Sequence, residues 1–462
     1  IVDREKARFS TWYEMFPRSQ GTRSGASATF KDCENRLEDI QSMGFDVVYL
    51  PPIHPIGHTN RRGPNNTPSK STSDPGSTWA IGNEDGGHYS IHPDLGTMAG
   101  FLQFVKAAAE KGIEIALDLA YQSSPDHPYV KEHPEWFFHL KDGTIRYAEN
   151  PPKKYYDIYP FYFQNSNWKE LWNELLKVVM FWVSKGIRIF RVDNPHTKPI
   201  GFWEWLIFSV TTKYPDVIFL AESFTRPKSM KLLAKIGFTQ SYTYFTWKNT
   251  KYDLSEFLDE FMISDPVEYY RGNFFANTPD ILSDYLQKGG KQAFKIRLVL
   301  AATLSSVYGI YNGFELCENQ AAAPGSEEYK DSEKYEYKVR DWNAPNNIKD
   351  YIAKINAIRR ENLALQRTDN LKMLECDSEE IFFFSKWTQN RSNVILVAVN
   401  LDPFLTHSGT VKVPLRDLGI DLSEPYKVKD LITGNEYHWR GESNYVRIDP
   451  SVEPAHVFLL IR

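Results

Sequence analysis

Eight short apolar runs, each separated from the next by longer polar or helix-periodic stretches, constrain this chain more than any other feature. They are FSTWYEMF (9–16), VVYLPP (47–52), IEIALDLA (113–120), IRIFRVDN (187–194), VIFLAES (217–223), QSYTYF (240–245), NFFAN (273–277) and SSVYGIYNG (305–313). Strands that alternate with helices build parallel sheets. Eight such units predict an α/β fold, a (β/α)8 TIM barrel whose functional side chains gather where strands end and βα loops begin. Three intervening helices carry their own stops: FKDCENRLEDIQSMG (30–44) ends at Gly44, AGFLQFVKAAAEKG (99–112) at Gly112, and WKELWNELLKVVMFWVSKG (168–186) at Gly186.

Two connections are too long for simple loops. One runs over 53–96 and is rich in Gly, Pro, Asn and Ser; the other, over 121–166, is rich in Pro, Tyr and Lys and reads as an insertion in the third βα loop. Long loops in compact domains are usually functional. After the helix NNIKDYIAKINAIRREN (346–362) come alternating strands without long helices between them, including IFFFSKW, NVILVAVNL, TVKVPL and AHVFLLI. The predicted organisation is a catalytic barrel over 1–366 and an all-β sandwich domain over 367–462.

Composition narrows the partners. The 54 basic and 59 acidic residues leave a formal net charge of −5, with no basic run longer than a pair, which argues against nucleic acid and anionic membrane. Aromatic residues make up 15% of the chain, including 12 Trp and 26 Tyr. Most of these belong in the core, and the remainder suit stacking on sugar rings. Cys33, Cys317 and Cys376 are far apart and lack CxxC spacing or clustered His, so neither a disulfide framework nor a zinc site is expected, and a cytoplasmic setting fits. No apolar run reaches the ~18 residues of a membrane span. The chain lacks an initiating Met and enters a strand almost at once, from which upstream sequence is expected.

Three carboxylates end apolar runs: Asp193 in IRIFRVDNPH, Glu222 in VIFLAES, and Asp280 in FFANTPDIL. Chemistry at an acetal carbon needs one carboxylate to capture or stabilise the cationic centre and one carboxylic acid to protonate the leaving group. Strand alternation puts Arg191 and Asp193 on one face, where an arginine favours the ionised form that a nucleophile requires. Glu222, on the next strand, is the natural general acid, since burial and a neighbouring carboxylate both raise a carboxyl pKa. Each residue also has a plainer reading: Arg191–Asp193 as a structural ion pair, Glu222 as a cap or surface group, and Asp280 as the cap of the helix DILSDYLQ.

IRIFRVDNPH, FLAES and NTPD, in this order and on these strands, resemble the catalytic signatures of the α-amylase superfamily. That resemblance implies Asp193 as nucleophile, Glu222 as acid and then base, and Asp280 as stabiliser of the transition state, with retention of configuration. WYEMFPRS, LPPIHPIGHTNRRGPNN, STWAIGNEDGGHYSIHPDLGT, DLAYQSSPDHPYV, ENPPKKYYDIYP, RVDNPHTKP and FTQSYTYFTWKN are more specific. They are similar to the bacterial maltosyltransferases that lengthen α-1,4-glucans with maltosyl units from α-maltose 1-phosphate. Gln122 and Ser123 stand where amylases usually carry an Asn-His pair, so the amylase structural calcium is not expected, nor is any other metal or cofactor. Within that family resemblance, Asn150, Lys153, Tyr155 and Asn194 would hold the phosphate. Asp157, Gln122 and Arg62 would contact maltose or the bound donor, and Lys334 and Tyr335 would line the donor-side sugar subsites. Read without it, ENPPKKYYDI is a solvated loop and EKYEYK an exposed, charged helix start.

The expected reaction is therefore maltosyl transfer to the non-reducing end of an α-1,4-glucan, with phosphate released. An amylase-like glucan hydrolase is the alternative, and a non-catalytic carbohydrate-binding relative is disfavoured because all three carboxylates are present. Relatives of this kind carry further N-terminal domains that help form a homodimer.

Overall fold

The computed structural model describes residues 3–71, 73–150 and 153–461. All eight apolar runs contain strands, and these pair in parallel around a closed barrel. They are β1 (Ser10–Glu14), β2 (Val47–Leu50), β3 (Glu114–Leu119), β4 (Ile189–Val192), β5 (Ile218–Ala221), β6 (Gln240–Tyr242), β7 (Gly272–Phe275) and β8 (Val307–Tyr311), the last closing on β1. Most of the runs outlast their strands because the apolar residues continue into the rim loops. In QSYTYF the strand stops at Tyr242, where the Thr243 side chain accepts from Phe245 N–H and starts a 3-10 turn over Tyr244–Trp247.

Alternation sorts the side chains as β-geometry requires. Ile189 lies in the lumen with Trp12, Val47, Tyr49, Ala116 and Tyr242, whereas Phe190 and Val192 face the outer layer between strands and helices. The helices Met98–Glu110 and Trp168–Ser184 match their periodicity. The stretch 30–44 does not form one helix: it breaks into Phe30–Glu34 and Leu37–Ser42, and at the break Arg36 turns inward to donate to Tyr13 Oη at 3.2 Å and stack 3.6 Å from the Trp342 ring centroid.

Beyond the helix Lys349–Glu361 the chain forms a six-stranded antiparallel sheet and a two-stranded one. One face of the larger sheet, with Phe382, Phe384, Ile395 and Val397, joins the barrel's outer core. Its opposite face, with Phe383, Leu396 and Ala398, packs on Val411, Val446 and Ile448 of the smaller sheet. Among the described residues no helix is long and apolar enough to cross a membrane.

The long second βα loop is pinned by buried histidines. His127 Nδ1 accepts from Tyr129 N–H at 3.0 Å, which leaves its Nε2 to donate to His88 Nδ1 at 3.1 Å, and His88 Nε2 in turn donates to Ala120 O at 3.0 Å. This assignment requires both rings to be neutral. Gly82 and Gly87 make room for it: a Cβ on Gly87 would lie 2.1 Å from His127 Nε2, and Gly82 also has φ +105°. Burial drives His88 down to about 4 and His54 down to about 3, and it lowers His127 well below the ordinary histidine range. These pKa values are depressed in the folded state, so their contribution is complete above the unfolded value of about 6.5 and is lost as pH falls below it. At about pH 5 each fully buried histidine costs roughly 2 kcal/mol. Urea midpoints measured between pH 7 and pH 5 should fall for the wild type and fall less for His88→Gln, whose amide can make both hydrogen bonds without titrating.

Candidate active site

Arg191 is the hub of the site. The register sets it opposite Asp118 of β3. Its Nη1 donates to Asp118 Oδ2 and to Asp193 Oδ1, both at 2.9 Å, and its Nη2 lies 2.7 Å from Glu222 Oε1. Tyr49 and Tyr242 flank the guanidinium at 5.6 and 5.8 Å to their ring centroids. Burial opposes its charge, but Asp118 and Glu222 override that and hold it protonated.

Arg191 is shared by Asp118, Asp193 and Glu222, and burial disfavours the charged form of a carboxyl. Burial raises Glu222 well above the carboxylate range, against the pull of Arg191 and with reinforcement from Asp193, Asp280 and Asp118. Asp118 is pushed up to about 7, first by burial, although Tyr49 Oη donates to it at 2.6 Å. Glu14, at the end of β1, is raised by burial too, and its Oε2 has no hydrogen-bond partner among the described residues. Glu222 therefore holds a proton more readily than a solvated glutamate, and it shares Arg191 with Asp193.

The turn after β4 fixes the two groups relative to one another. Asn194 takes a left-handed conformation (φ 42°), its N–H faces Glu222 Oε2 at 3.3 Å, and its Nδ2 lies 3.5 Å from Asp193 Oδ1. Lys198 Nζ donates to Asp193 O at 2.9 Å, and Trp203 Nε1 donates to Pro195 O at 2.9 Å. These bonds satisfy backbone carbonyls that a loop this tight would otherwise leave unpaired.

Asp280 does not cap a helix: the next one, Asp284–Lys288, begins after Ser283. Its side chain keeps 45% of its surface open while forming an ion pair with the buried Lys334. The surrounding protein would raise its pKa, but Lys334 outweighs that and holds the carboxyl below its ordinary value.

The third βα insertion forms a hairpin, Ala148–Asn150 against Lys153–Tyr155, with Asn150 paired to Lys153 and Ala148 to Tyr155. Pro151 and Pro152, between these two segments in the sequence, lie outside the described residues. Alternation places Asn150, Lys153 and Tyr155 on one face, while Glu149 and Lys154 pair on the other. A chain of ion pairs runs from Lys153 through Glu328 and Lys334 to Asp280, bringing that hairpin to the carboxylates. Arg62 lies 3.7 Å from Asp157 Oδ1 and donates to Lys154 O at 2.7 Å. Neither oxygen of the buried Asp157 receives a hydrogen bond within the described residues. Gln122 borders Trp79, donating weakly to its carbonyl at 3.5 Å.

Lys334 and Tyr335 are buried, not exposed at a helix start. Residues 312–348 form no α-helix and make a third long loop that the sequence reading missed. Its centre is Glu333, which accepts from Tyr311 Oη at 2.5 Å and Asn312 Nδ2 at 2.6 Å and pairs with Arg340 at 2.9 Å. Arg18 donates to the carbonyls of Glu333 and Lys334. Asp118, Tyr49, Tyr242 and Glu328 were also missed. Asp118 had a readable signal, since it is a carboxylate near the C-terminal end of an apolar run.

A family profile described as "GLGE, C-terminal" matches residues 373–460. The chain is 56% identical, over 99% of its length, to the alpha-1,4-glucan:maltose-1-phosphate maltosyltransferase of Rhodospirillum rubrum, and 53% identical, over its full length, to that of Methylacidiphilum infernorum. It belongs to that maltosyltransferase family. The chain spans 66% and 69% of the length of these two relatives. Among solved structures, an α-amylase from Geobacillus thermoleovorans complexed with acarbose superposes with a TM-score of 0.76 at 18% identity, covering 98% of both chains. The maltogenic α-amylase AmyB of Thermotoga neapolitana gives 0.74 at 19%, covering 99% of this chain and 100% of its own. Both share the barrel with its C-terminal antiparallel domain, so the maltosyltransferase family builds on the amylase fold.

Proposed function

We propose that this chain transfers maltosyl units from α-maltose 1-phosphate to the non-reducing end of α-1,4-glucans, releasing phosphate. Asp193 attacks C1 and breaks its bond to the phosphate oxygen, while Glu222 supplies a proton to the leaving group. Glu222, now a carboxylate, then takes the proton of the acceptor's 4-hydroxyl as that oxygen displaces Asp193. Two inversions retain the α configuration. Asp280, held by Lys334, stabilises positive charge at the sugar ring, and Arg191 keeps the nucleophile oriented.

The observation that carries this reading is the hairpin face of Asn150, Lys153 and Tyr155, joined by ion pairs to Asp280 at the carboxylate cluster. A phosphate dianion makes charge-assisted hydrogen bonds with an ammonium group at that position, which a neutral glucan does not. Cys33, Cys317 and Cys376 are free thiols, which supports a reducing, cytoplasmic setting. A homodimer is part of the same proposal.

Incubation with α-maltose 1-phosphate and a maltooligosaccharide tests it. Phosphate release matched by products longer by two glucose units is expected; new reducing ends without phosphate would overturn it in favour of hydrolysis. Lys153→Ala should raise the donor KM by about tenfold or more, the range for a hydrogen bond to a charged group. The acceptor KM should stay near its wild-type value.

A further inference from the structure

Glu328 already occupies the lysines. Its Oε1 lies 2.6 Å from Lys153 Nζ and its Oε2 lies 2.6 Å from Lys334 Nζ, so one carboxylate spans ammonium groups reaching in from two different loops. The loop beneath it is fixed on both sides. Glu328 N–H donates to Ser326 Oγ at 3.1 Å, and its carbonyl accepts from Ala322 N–H at 2.8 Å. Glu327 takes hydrogen bonds from Leu282 N–H at 2.7 Å and Trp247 Nε1 at 2.8 Å, and Tyr329 Oη accepts from Asn277 Nδ2 at 2.8 Å. A carboxylate held in this way presents two anionic oxygens to two lysines, much as a phosphate would.

The two lysines are not equivalent. Lys334 has Asp280 as a second anionic partner and is buried, so it stays neutralised without Glu328. Lys153 has only Glu328 among the ion pairs of the described residues, and its side chain is 48% exposed. Of the two contacts, the one to Lys153 can be given up.

We propose that Glu328 is a displaceable counter-anion for the phosphate site, a positioning residue that competes with phosphate for Lys153. This rests on the reading that Lys153 binds the phosphate. In the free enzyme Glu328 neutralises Lys153. It yields that ammonium to the donor's phosphate and reclaims it as orthophosphate departs, which lowers the site's affinity for its own product. No covalent bond changes in this exchange.

The test is inhibition of maltosyl transfer by orthophosphate, with its binding measured by calorimetry, in the wild type, Glu328→Gln, Lys153→Ala and the double variant. Glu328→Gln should tighten orthophosphate about fivefold, the change expected when a partly exposed competing ion pair is removed. Mere structural damage does not produce a gain in affinity. In the Lys153→Ala background the same substitution should change nothing. If Lys153→Ala weakens orthophosphate but Glu328→Gln leaves it unchanged or weaker, the counter-anion role is overturned while the phosphate site stands. If Lys153→Ala has no effect on orthophosphate, the phosphate assignment itself fails, and the counter-anion role fails with it.

Discussion

Asp193→Ala should lower turnover by about 10⁵-fold or more, the order of loss that follows removal of a covalent nucleophile. The residue sits where the barrel concentrates its polar groups, with Arg191 Nη1 at 2.9 Å from Oδ1 and its own carbonyl held by Lys198. Removing the carboxylate leaves Arg191 still in contact with Asp118 and Glu222, so the guanidinium keeps partners and the fold should survive. Loss of activity with a near-native urea midpoint is therefore expected. A reactive fluorinated maltosyl donor should add one maltosyl mass to the wild-type protein, on the peptide containing Asp193, and add none to the variant. Labelling of a different carboxylate, or a variant within about tenfold of wild type, would remove Asp193 from the role.

The parts of this arrangement that were readable in the sequence share one property: they depend on local periodicity. Ile189, Arg191 and Asp193 alternate with Phe190 and Val192, and that alone predicts which of them reach the lumen. The parts that were not readable depend on irregular loop contacts, some near in sequence and some far along the chain, that leave no periodic signal. Glu333 and Lys334 look like surface charge in EKYEYK because nothing nearby reveals that Arg18, Arg340 and Tyr311 will enclose them. Glu328 gives no periodic signal either, and its place follows from Ala322, Ser326 and Leu282 pinning an otherwise irregular loop. Asp118 is a different case, in which the pattern was present. It lies near the end of β3, opposite Arg191 in the β3–β4 register, and the shared guanidinium follows from that register.

Glu222→Gln should separate the two halves of the reaction. Phosphate is a far better leaving group than a sugar hydroxyl, so formation of the maltosyl-enzyme depends less on the proton of Glu222 than its resolution depends on the base. Transfer to the glucan should fall by about 10³-fold, within the range for general acid–base catalysis. The first turnover of phosphate should fall less, so that covalent intermediate accumulates. Burial raises the Glu222 carboxyl well above its ordinary range, with Asp193, Asp280 and Asp118 adding to the shift. The acid form therefore persists to higher pH than a solvated glutamate allows, and the burst of phosphate should decline only as pH rises through that elevated pKa. A glutamine cannot titrate, so this alkaline limb should vanish in the variant. A burst that keeps the same limb in Glu222→Gln would assign the titration to another group. Asp118, pushed up to about 7 against the same arginine, is the group that Asp118→Asn would then examine.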